Sequence, residues 1–312
     1  MAYNFKQEMQ KPDRFVGGHR MCEGCGAPPA VRAVLRALHE DEKAVIGCAT
    51  GCLEVSSFMY PYTSWTDSFI HNAFENTSAS ISGAEGAYRA LKKKGKVNSD
   101  YKFIAFGGDG GTYDIGFQSL SGAMERGTDM VYVCYDNGAY MNTGIQRSSG
   151  TPKYADTTTT PVGKESTGKQ EFRKDLTKVM VEHGIPYVAQ TTLFKNFKDI
   201  HEKSDKAIHT EGPAFLNILA PCPRGWRYSS QFLMDICKLA VDTCAWPMYE
   251  VENGVWKLSY KPKEKLPIEE YLRPQGRFRH LFRPEQKEIL AEIQKEIDKD
   301  WEDLLRRCNE ID

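Results

Sequence analysis

Four things are missing from this 312-residue sequence. No apolar run approaches the roughly 20 residues that a membrane helix needs, so no such span is expected. No charge of one sign dominates: 41 Lys and Arg face 42 Asp and Glu, a formal net charge of −1. That balance removes the electrostatic basis for a nucleic acid or an anionic membrane as partner. The first residues, Met-Ala-Tyr-Asn-Phe-Lys-Gln-Glu, contain no apolar signal core, and the expected location is the cytoplasm. Finally, the cysteines do not come in an even set. The nine stand at positions 22, 25, 48, 52, 134, 222, 237, 244 and 308. An odd number without an export signal argues against a disulfide scaffold.

What is present is a large apolar fraction, 40% of the chain, enough for a sizeable core. Val31, Val34, Leu35 and Leu38 recur at helical spacing behind Pro28 and Pro29, residues suited to a helix start. Lys43–Gly47 reads as a strand, and Asn76 as the cap of a helix that carries Ile81, Ala84, Tyr88 and Leu91 and stops at Gly95. Phe103–Phe106 is a short strand ending in a glycine turn, 107–111, before a helix from about 115 to 126 and a strand at 130–135. Strand, glycine turn, helix and strand make a βαβ unit with parallel pairing. Helices near 172–183, 195–208 and 229–242 alternate with strands near 187–191 and 214–219. The expected fold is therefore α/β, a doubly wound and mostly parallel sheet.

The polar, Thr-rich stretch 137–168 is too long for a simple connection and reads as functional or disordered. Beyond it, Glu252-Asn-Gly254 suggests a hairpin turn. Residues 284–307, with Ile289, Leu290, Ile293 and Ile297 at helical spacing, suggest a long charged surface helix. The domain reading is 1–245 for the α/β domain and 246–312 for a C-terminal extension of hairpin and helix.

Two constellations carry chemistry. Gly108-Asp109-Gly110 closes one strand and opens a helix, the place where open α/β sheets bind ligands. Glycines let a phosphate approach the backbone, and helix N–H groups favour its charge. Asp109 would repel that phosphate unless a hard cation such as Mg²⁺ lay between them. Asn137, 28 residues later at the end of the next strand, can reach the same ion. The second constellation is Cys22-Glu-Gly-Cys25 with single cysteines after two other strands, Cys52 and Cys222. Converging thiolates of this kind suit a [4Fe–4S] cluster. Spacing leaves zinc and uncommitted thiols open, and leaves Cys48 competing with Cys52. Cys134, Cys237, Cys244 and Cys308 read as ordinary structural residues.

Gly-Asp-Gly followed by 26 residues and Asn resembles the thiamine diphosphate motif. Together with Gly18–Gly26, Ala49–Glu54, Tyr60–Trp65, His71–Asn76, Gly107–Gly116, Tyr135–Arg147 and Ala220–Trp226, it makes the chain similar to the beta subunits of pyruvate:ferredoxin oxidoreductases, over most of residues 18–275. The resemblance implies the thiamine diphosphate-binding fold. It implies Mg²⁺ on Asp109, Asn137 and the Ala139 carbonyl, and a [4Fe–4S] cluster on Cys22, Cys25, Cys52 and Cys222, with Cys48 a bystander. It places Thr50, Gly51, Phe74, Gly108, Gly110 and Thr143 around the cofactor and Asn142 at the reacting centre. It further implies oxidative decarboxylation of a 2-oxoacid, most readily pyruvate, with ferredoxin as electron acceptor and coenzyme A taking the acyl group. In that family other subunits complete the thiamine site and supply the carboxylate that activates the cofactor. Some relatives carry an acidic residue two positions after the second cysteine, where this sequence has Ala27. A non-redox thiamine decarboxylase or synthase would share Asp109 and Asn137 but need no cysteine ligands. A zinc-stabilised binding subunit would need only the cysteines.

Overall fold

The computed structural model describes residues 3–311. In chain order the elements are α1 (Phe5–Glu8), α2 (Ala27–Leu35), β1 (Lys43–Ala49), α3 (Cys52–Ser57), β2 (Ser68–Asn72), α4 (Thr77–Lys93) and β3 (Tyr101–Gly108). A π-helical turn (Gly110–Ile115) leads into α5 (Phe117–Glu125), β4 (Val131–Asp136), α6 (Leu176–Val181), β5 (Tyr187–Thr192), α7 (Lys198–His209) and β6 (Ala214–Leu219). The chain ends with α8 (Pro223–Trp226), α9 (Leu233–Asp242), β7 (Tyr249–Glu252), β8 (Val255–Leu258), α10 (Ile268–Leu272) and α11 (Lys287–Arg307).

The strands form one eight-stranded sheet in the order β2-β1-β3-β4-β6-β5-β7-β8. The six strands from β2 to β5 pair in parallel, and β7 and β8 extend the edge antiparallel. After β1 the chain steps outward to β2 and then returns to the other side of β1 as β3. The strand order therefore reverses at the β1–β3 boundary, and a crevice opens beyond the carboxyl ends of those strands.

Alternation along the strands builds two cores. Ile104 and Phe106 face a cluster with Val31, Val34 and Leu35 of α2 and Ile200 of α7. Phe103 and Ala105 face the opposite cluster, with Ile81 of α4, Leu120 of α5 and Met180 of α6. Strands buried on both faces read as apolar runs, which is why 103–106 and 130–135 stood out in the sequence. A third cluster, including Trp226, Trp246, Tyr271 and Phe278, lies beneath the C-terminal extension.

Several expectations need correction. Asn76 does occupy the N-cap position of α4, but its side chain makes no capping bond. Strand β2 was not foreseen, and β1, β3 and α6 differ in extent from the sequence reading. The glycine turn is shorter than expected: from Gly110 onward it winds as a π-turn that leads into α5. Helix α11 does not simply lie on the surface, because Leu290, Trp301, Leu304 and Leu305 are buried. The hairpin holds, with Asn253 and Gly254 both at positive φ, as the favoured two-residue turn requires.

Candidate active site

The carboxyl ends of β1, β3, β4 and β6 are neighbours in the sheet. They deliver Thr50-Gly51-Cys52, Gly108-Asp109-Gly110, Asn137–Thr143 and Cys222 to one edge. A cleft there is lined by Thr50, Gly51, Phe74, Asn137, Asn142 and Thr143, among others. Asp109, between the lining residues Gly108 and Gly110, is fully buried. Burial and the neighbouring Asp136 carboxylate push the Asp109 acid up to about 8, against the Ser148 hydroxyl and the Asn137 N–H that hold it down.

The Asn137 side chain has two possible orientations, with different consequences. With nitrogen inward, it donates to the Ala139 carbonyl at 2.8 Å and to Asp109 Oδ1 at 3.0 Å. With oxygen inward, three oxygens face one another across those separations. Only a cation among them makes the second arrangement stable. An octahedral Mg²⁺ with oxygens at about 2.0–2.1 Å has edges of roughly 2.9 Å, which fits. The residues present therefore suit the ion that the sequence implied.

The 137–168 stretch is largely packed against the site. Ser148 donates to Asp109 Oδ2, Thr151 donates to the Gly138 carbonyl at 2.8 Å, and Tyr140 donates to the Gly110 carbonyl at 2.8 Å. Beneath Asp109, the Asp136 carboxylate accepts from Tyr113 at 2.7 Å, from Arg173 at 2.9 Å and from the Gly138 N–H at 3.0 Å. Trp226 Nε1 donates to the Asn137 carbonyl at 2.6 Å. Composition and spacing gave no sign of Ser148, Tyr140, Asp136 or Trp226 as parts of this framework. The polar burial of a long loop was the one available clue.

The hydroxyls of Thr50 and Thr143, two residues expected around the cofactor, are engaged within the chain. Thr50 Oγ1 donates to the Asn72 carbonyl at 2.8 Å, and the Thr143 hydroxyl donates to Gln146. Both residues still wall the cleft. Gly51 has a steric reason to be glycine, since a Cβ there would lie 2.7 Å from the Tyr135 hydroxyl. That hydroxyl is buried and has no partner within the chain. Glu54 and His71 are paired through Nδ1. Burial raises the Glu54 carboxyl, with His71 opposing.

The cysteine loops also converge. Gly26 N–H donates to the Pro221 carbonyl at 2.9 Å, and a Cβ on Gly26 would meet the Ala220 and Pro221 backbone within 2.9 Å. Tyr228 donates to the Gly24 carbonyl at 2.7 Å. Burial first, and then neighbouring thiolates, push the Cys25 and Cys52 thiols up to about 12: Cys222, Cys52 and Cys22 act on Cys25, and Cys222 and Cys22 on Cys52. The four sulfurs thus share one electrostatic neighbourhood. Cys48 does not join it. It is fully buried in the core with Ala44 and Ile46, and burial followed by Glu54 raises its thiol. Cys52 Sγ lies 3.8 Å from Asn142 Oδ1, where the sulfur group meets the cofactor cleft.

Residues 45–218 match the family described as thiamine pyrophosphate enzyme, C-terminal TPP binding domain. The chain is 50% identical to a pyruvate synthase subunit PorB of Thermotoga maritima, over 98% of this chain and 96% of that protein. It is 49% identical to its namesake from Methanocaldococcus jannaschii, over 94% and 96%. A ketoisovalerate oxidoreductase subunit VorB of Pyrococcus furiosus is 40% identical over 96% of each chain. Among solved structures, a 2-oxoglutarate:ferredoxin oxidoreductase from Magnetococcus marinus superposes with a TM-score of 0.56 at 23% identity, covering 71% of this chain and 68% of that one, which is a likeness of fold. No helix among the described residues is long and apolar enough to cross a membrane. The chain belongs to the PorB family, the beta subunits of 2-oxoacid:ferredoxin oxidoreductases, and is an oxidoreductase subunit built on a thiamine pyrophosphate-binding domain.

Proposed function

We propose that the chain oxidatively decarboxylates pyruvate, holding thiamine diphosphate through Mg²⁺ and passing electrons through a [4Fe–4S] cluster to ferredoxin, with coenzyme A receiving the acyl group. The observation that carries this reading is the contact between Cys52 and Asn142, which joins the sulfur group to the thiamine cleft. The substrate choice rests on the 50% identity with a pyruvate synthase subunit, against 40% with the ketoisovalerate relative.

In this reading Asp109, Asn137 and the Ala139 carbonyl are the Mg²⁺ ligands. Gly108 and Gly110 let the diphosphate approach the start of the π-turn, where backbone N–H groups can meet its charge. Gly51 and Phe74 bound the cofactor, with Thr50 and Thr143 as further walls. Asn142 offers an amide to the oxygen on which negative charge develops during reaction. When bound, thiamine diphosphate supplies the carbanion chemistry and the protein supplies position and electrostatics. Cys22, Cys25, Cys52 and Cys222 would hold the cluster.

The spacing of the sulfurs favours a cluster over zinc. A single tetrahedral Zn²⁺ at about 2.3 Å from each sulfur needs them roughly 3.8 Å apart. Among the described residues no three of these sulfurs lie within 4.8 Å of one another. The cleft itself is shallow, about 20 Å³, so the chain offers one wall of a site that other subunits would close. We read 1–245 as the cofactor-binding domain, 246–312 as the extension, and the location as cytoplasmic. The test is anaerobic purification with the native partner subunits, followed by a panel of 2-oxoacids with a viologen acceptor. Pyruvate should give the highest kcat/KM. A preference for branched 2-oxoacids would reassign the substrate, and full turnover by the isolated chain would refute the shared site.

A further inference from the structure

A cavity of about 290 Å³, separate from the cofactor cleft, lies between the ends of β4, β5 and β6 and the C-terminal extension. That volume stands at the lower limit of ligand pockets, about 300 Å³, and suits a compact metabolite. Its walls are mostly apolar, with Trp246, Tyr271 and Phe278 among them. Among the charged groups on the wall, Arg277 stands apart. Arg277 is 2% exposed, and its guanidinium carbon lies 3.9 Å from the Trp226 ring centroid. Its Nε donates to Gln275 at 3.0 Å, while Nη2 has no acceptor in the chain.

The neighbouring charges are accounted for without Arg277. Arg173 pairs with Asp136 at 2.9 Å, Lys178 pairs with Asp175 at 3.3 Å and Asp303 at 3.2 Å, Lys153 pairs with Glu292, and Lys174 donates to the Tyr113 carbonyl at 2.5 Å. Arg277 makes no ion pair among the described residues, yet a guanidinium stays protonated in proteins. Burial pulls it down, to about 10, with Tyr271, Asp136, Cys222 and Asp109 opposing, so it carries charge at neutral pH. A buried cation of this kind calls for a counter-ion. The remaining acids on the wall, Glu296 and Asp300, belong to α11, and they disfavour a second negative charge on any occupant.

We propose that this cavity binds a small monocarboxylate with a flat apolar body, its carboxylate on Arg277 and its body among Trp246, Tyr271 and Phe278. A single charge matches the single unpaired guanidinium, and a planar carboxylate fits its fork of donors. The site adjoins the cofactor cleft without being part of it. Trp226, under Arg277, is the residue that donates to the Asn137 carbonyl at 2.6 Å. A ligand on Arg277 therefore sits against the loop bearing Asn137, whose Gly138 is itself part of the wall.

The test is calorimetric titration of the native multi-subunit enzyme with 3-phenylpropionate, using 3-phenylpropionamide as the neutral control. The acid should bind once per copy of this chain and at least tenfold more tightly than the amide. Arg277→Met should weaken it at least tenfold, and Arg277→Lys should restore part of the loss. Should Arg277→Met fail to assemble, Ile293→Trp decides the matter. Ile293 is a partly exposed wall residue, and a larger side chain there fills the space and should abolish binding without lowering the melting temperature. Equal affinity for acid and amide, no binding of the acid, or acid binding unchanged in the variants would each overturn the proposal.

Discussion

The thiol of Cys52 stands 3.8 Å from Oδ1 of Asn142, a residue 90 positions away. Helix α3 begins at Cys52 directly after β1, and Asn142 lies in the loop after β4. The two strands flank β3, which ends in Gly108 and Asp109. The sheet thus brings a thiol, an amide and a buried carboxylate to one edge. If Asn142 faces developing charge, Asn142→Ala should lower kcat by about 10²–10³-fold, the usual effect of losing one such donor. Iron content and KM for pyruvate should change little. Steady-state kinetics on the purified complex check this, and a change confined to KM would contradict the role.

Asp109, a proposed Mg²⁺ ligand, is a buried acid whose cost falls on the cofactor-free protein. Its folded acid is raised to about 8, above the unfolded value of about 3.9. A raised carboxylate destabilises the fold as pH rises above the unfolded value, and the penalty is fully developed above the folded one. Asp109→Asn removes that penalty while keeping an acceptor for the Asn137 N–H. Without cofactor, the variant should melt at or above the wild-type temperature near pH 8. The rise in melting temperature on adding Mg²⁺ and thiamine diphosphate should disappear. Differential scanning fluorimetry with and without both reads the two effects, and a wild-type-sized shift in the variant would exclude Asp109 as a ligand.

Trp226 connects the turn after Cys222 to the loop bearing Asn137 through the 2.6 Å bond from Nε1 to the Asn137 carbonyl. Trp226→Phe keeps most of the apolar bulk and loses the donor. A hydrogen bond of this kind contributes about 0.5–1.5 kcal/mol, so thiamine diphosphate affinity should fall roughly two- to tenfold. Fluorescence-free equilibrium dialysis of the cofactor would detect it. An unchanged affinity would mean that the loop holds its shape without this bond.

Lys169 gives a pH signature independent of any cofactor. It is buried, donates to the Thr151 carbonyl at 2.6 Å, and burial lowers it to about 8. The unfolded chain keeps its lysine protonated to about 10.4, so between these values the unfolded state binds more protons. Stability should therefore rise with pH from about 8 to about 10.4. Lys169→Met should flatten that rise, as thermal melts across the window would show. An identical slope in the variant would place the effect elsewhere.

The legible and illegible parts of this molecule have physical reasons. Asp109 and Asn137 were readable because a βαβ unit fixes two strand ends side by side. The choice between Cys48 and Cys52 looked open from spacing, yet alternation along β1 could have closed it. Ala44, Ile46 and Cys48 are two residues apart and share one core-facing side, whereas Cys52 lies beyond the strand. Strand β2 was hidden because it is an edge strand, partly exposed and without regular alternation. The framework of Ser148, Asp136 and Arg173 depends on a long loop folding back onto the sheet, which local periodicity does not report. Cys48→Ala should accordingly leave the iron content of the complex unchanged while lowering stability, as loss of a buried core group does.

The central claim is that Cys22, Cys25, Cys52 and Cys222 hold one iron–sulfur cluster beside the thiamine cleft. Elemental and acid-labile sulfide analysis of the anaerobically purified complex, wild type against Cys222→Ala, tests it most directly. The account predicts a difference of about four irons and four sulfides per copy of this chain, with no zinc in either. Iron and sulfide unchanged by the substitution, or one zinc lost per copy in their place, would contradict it.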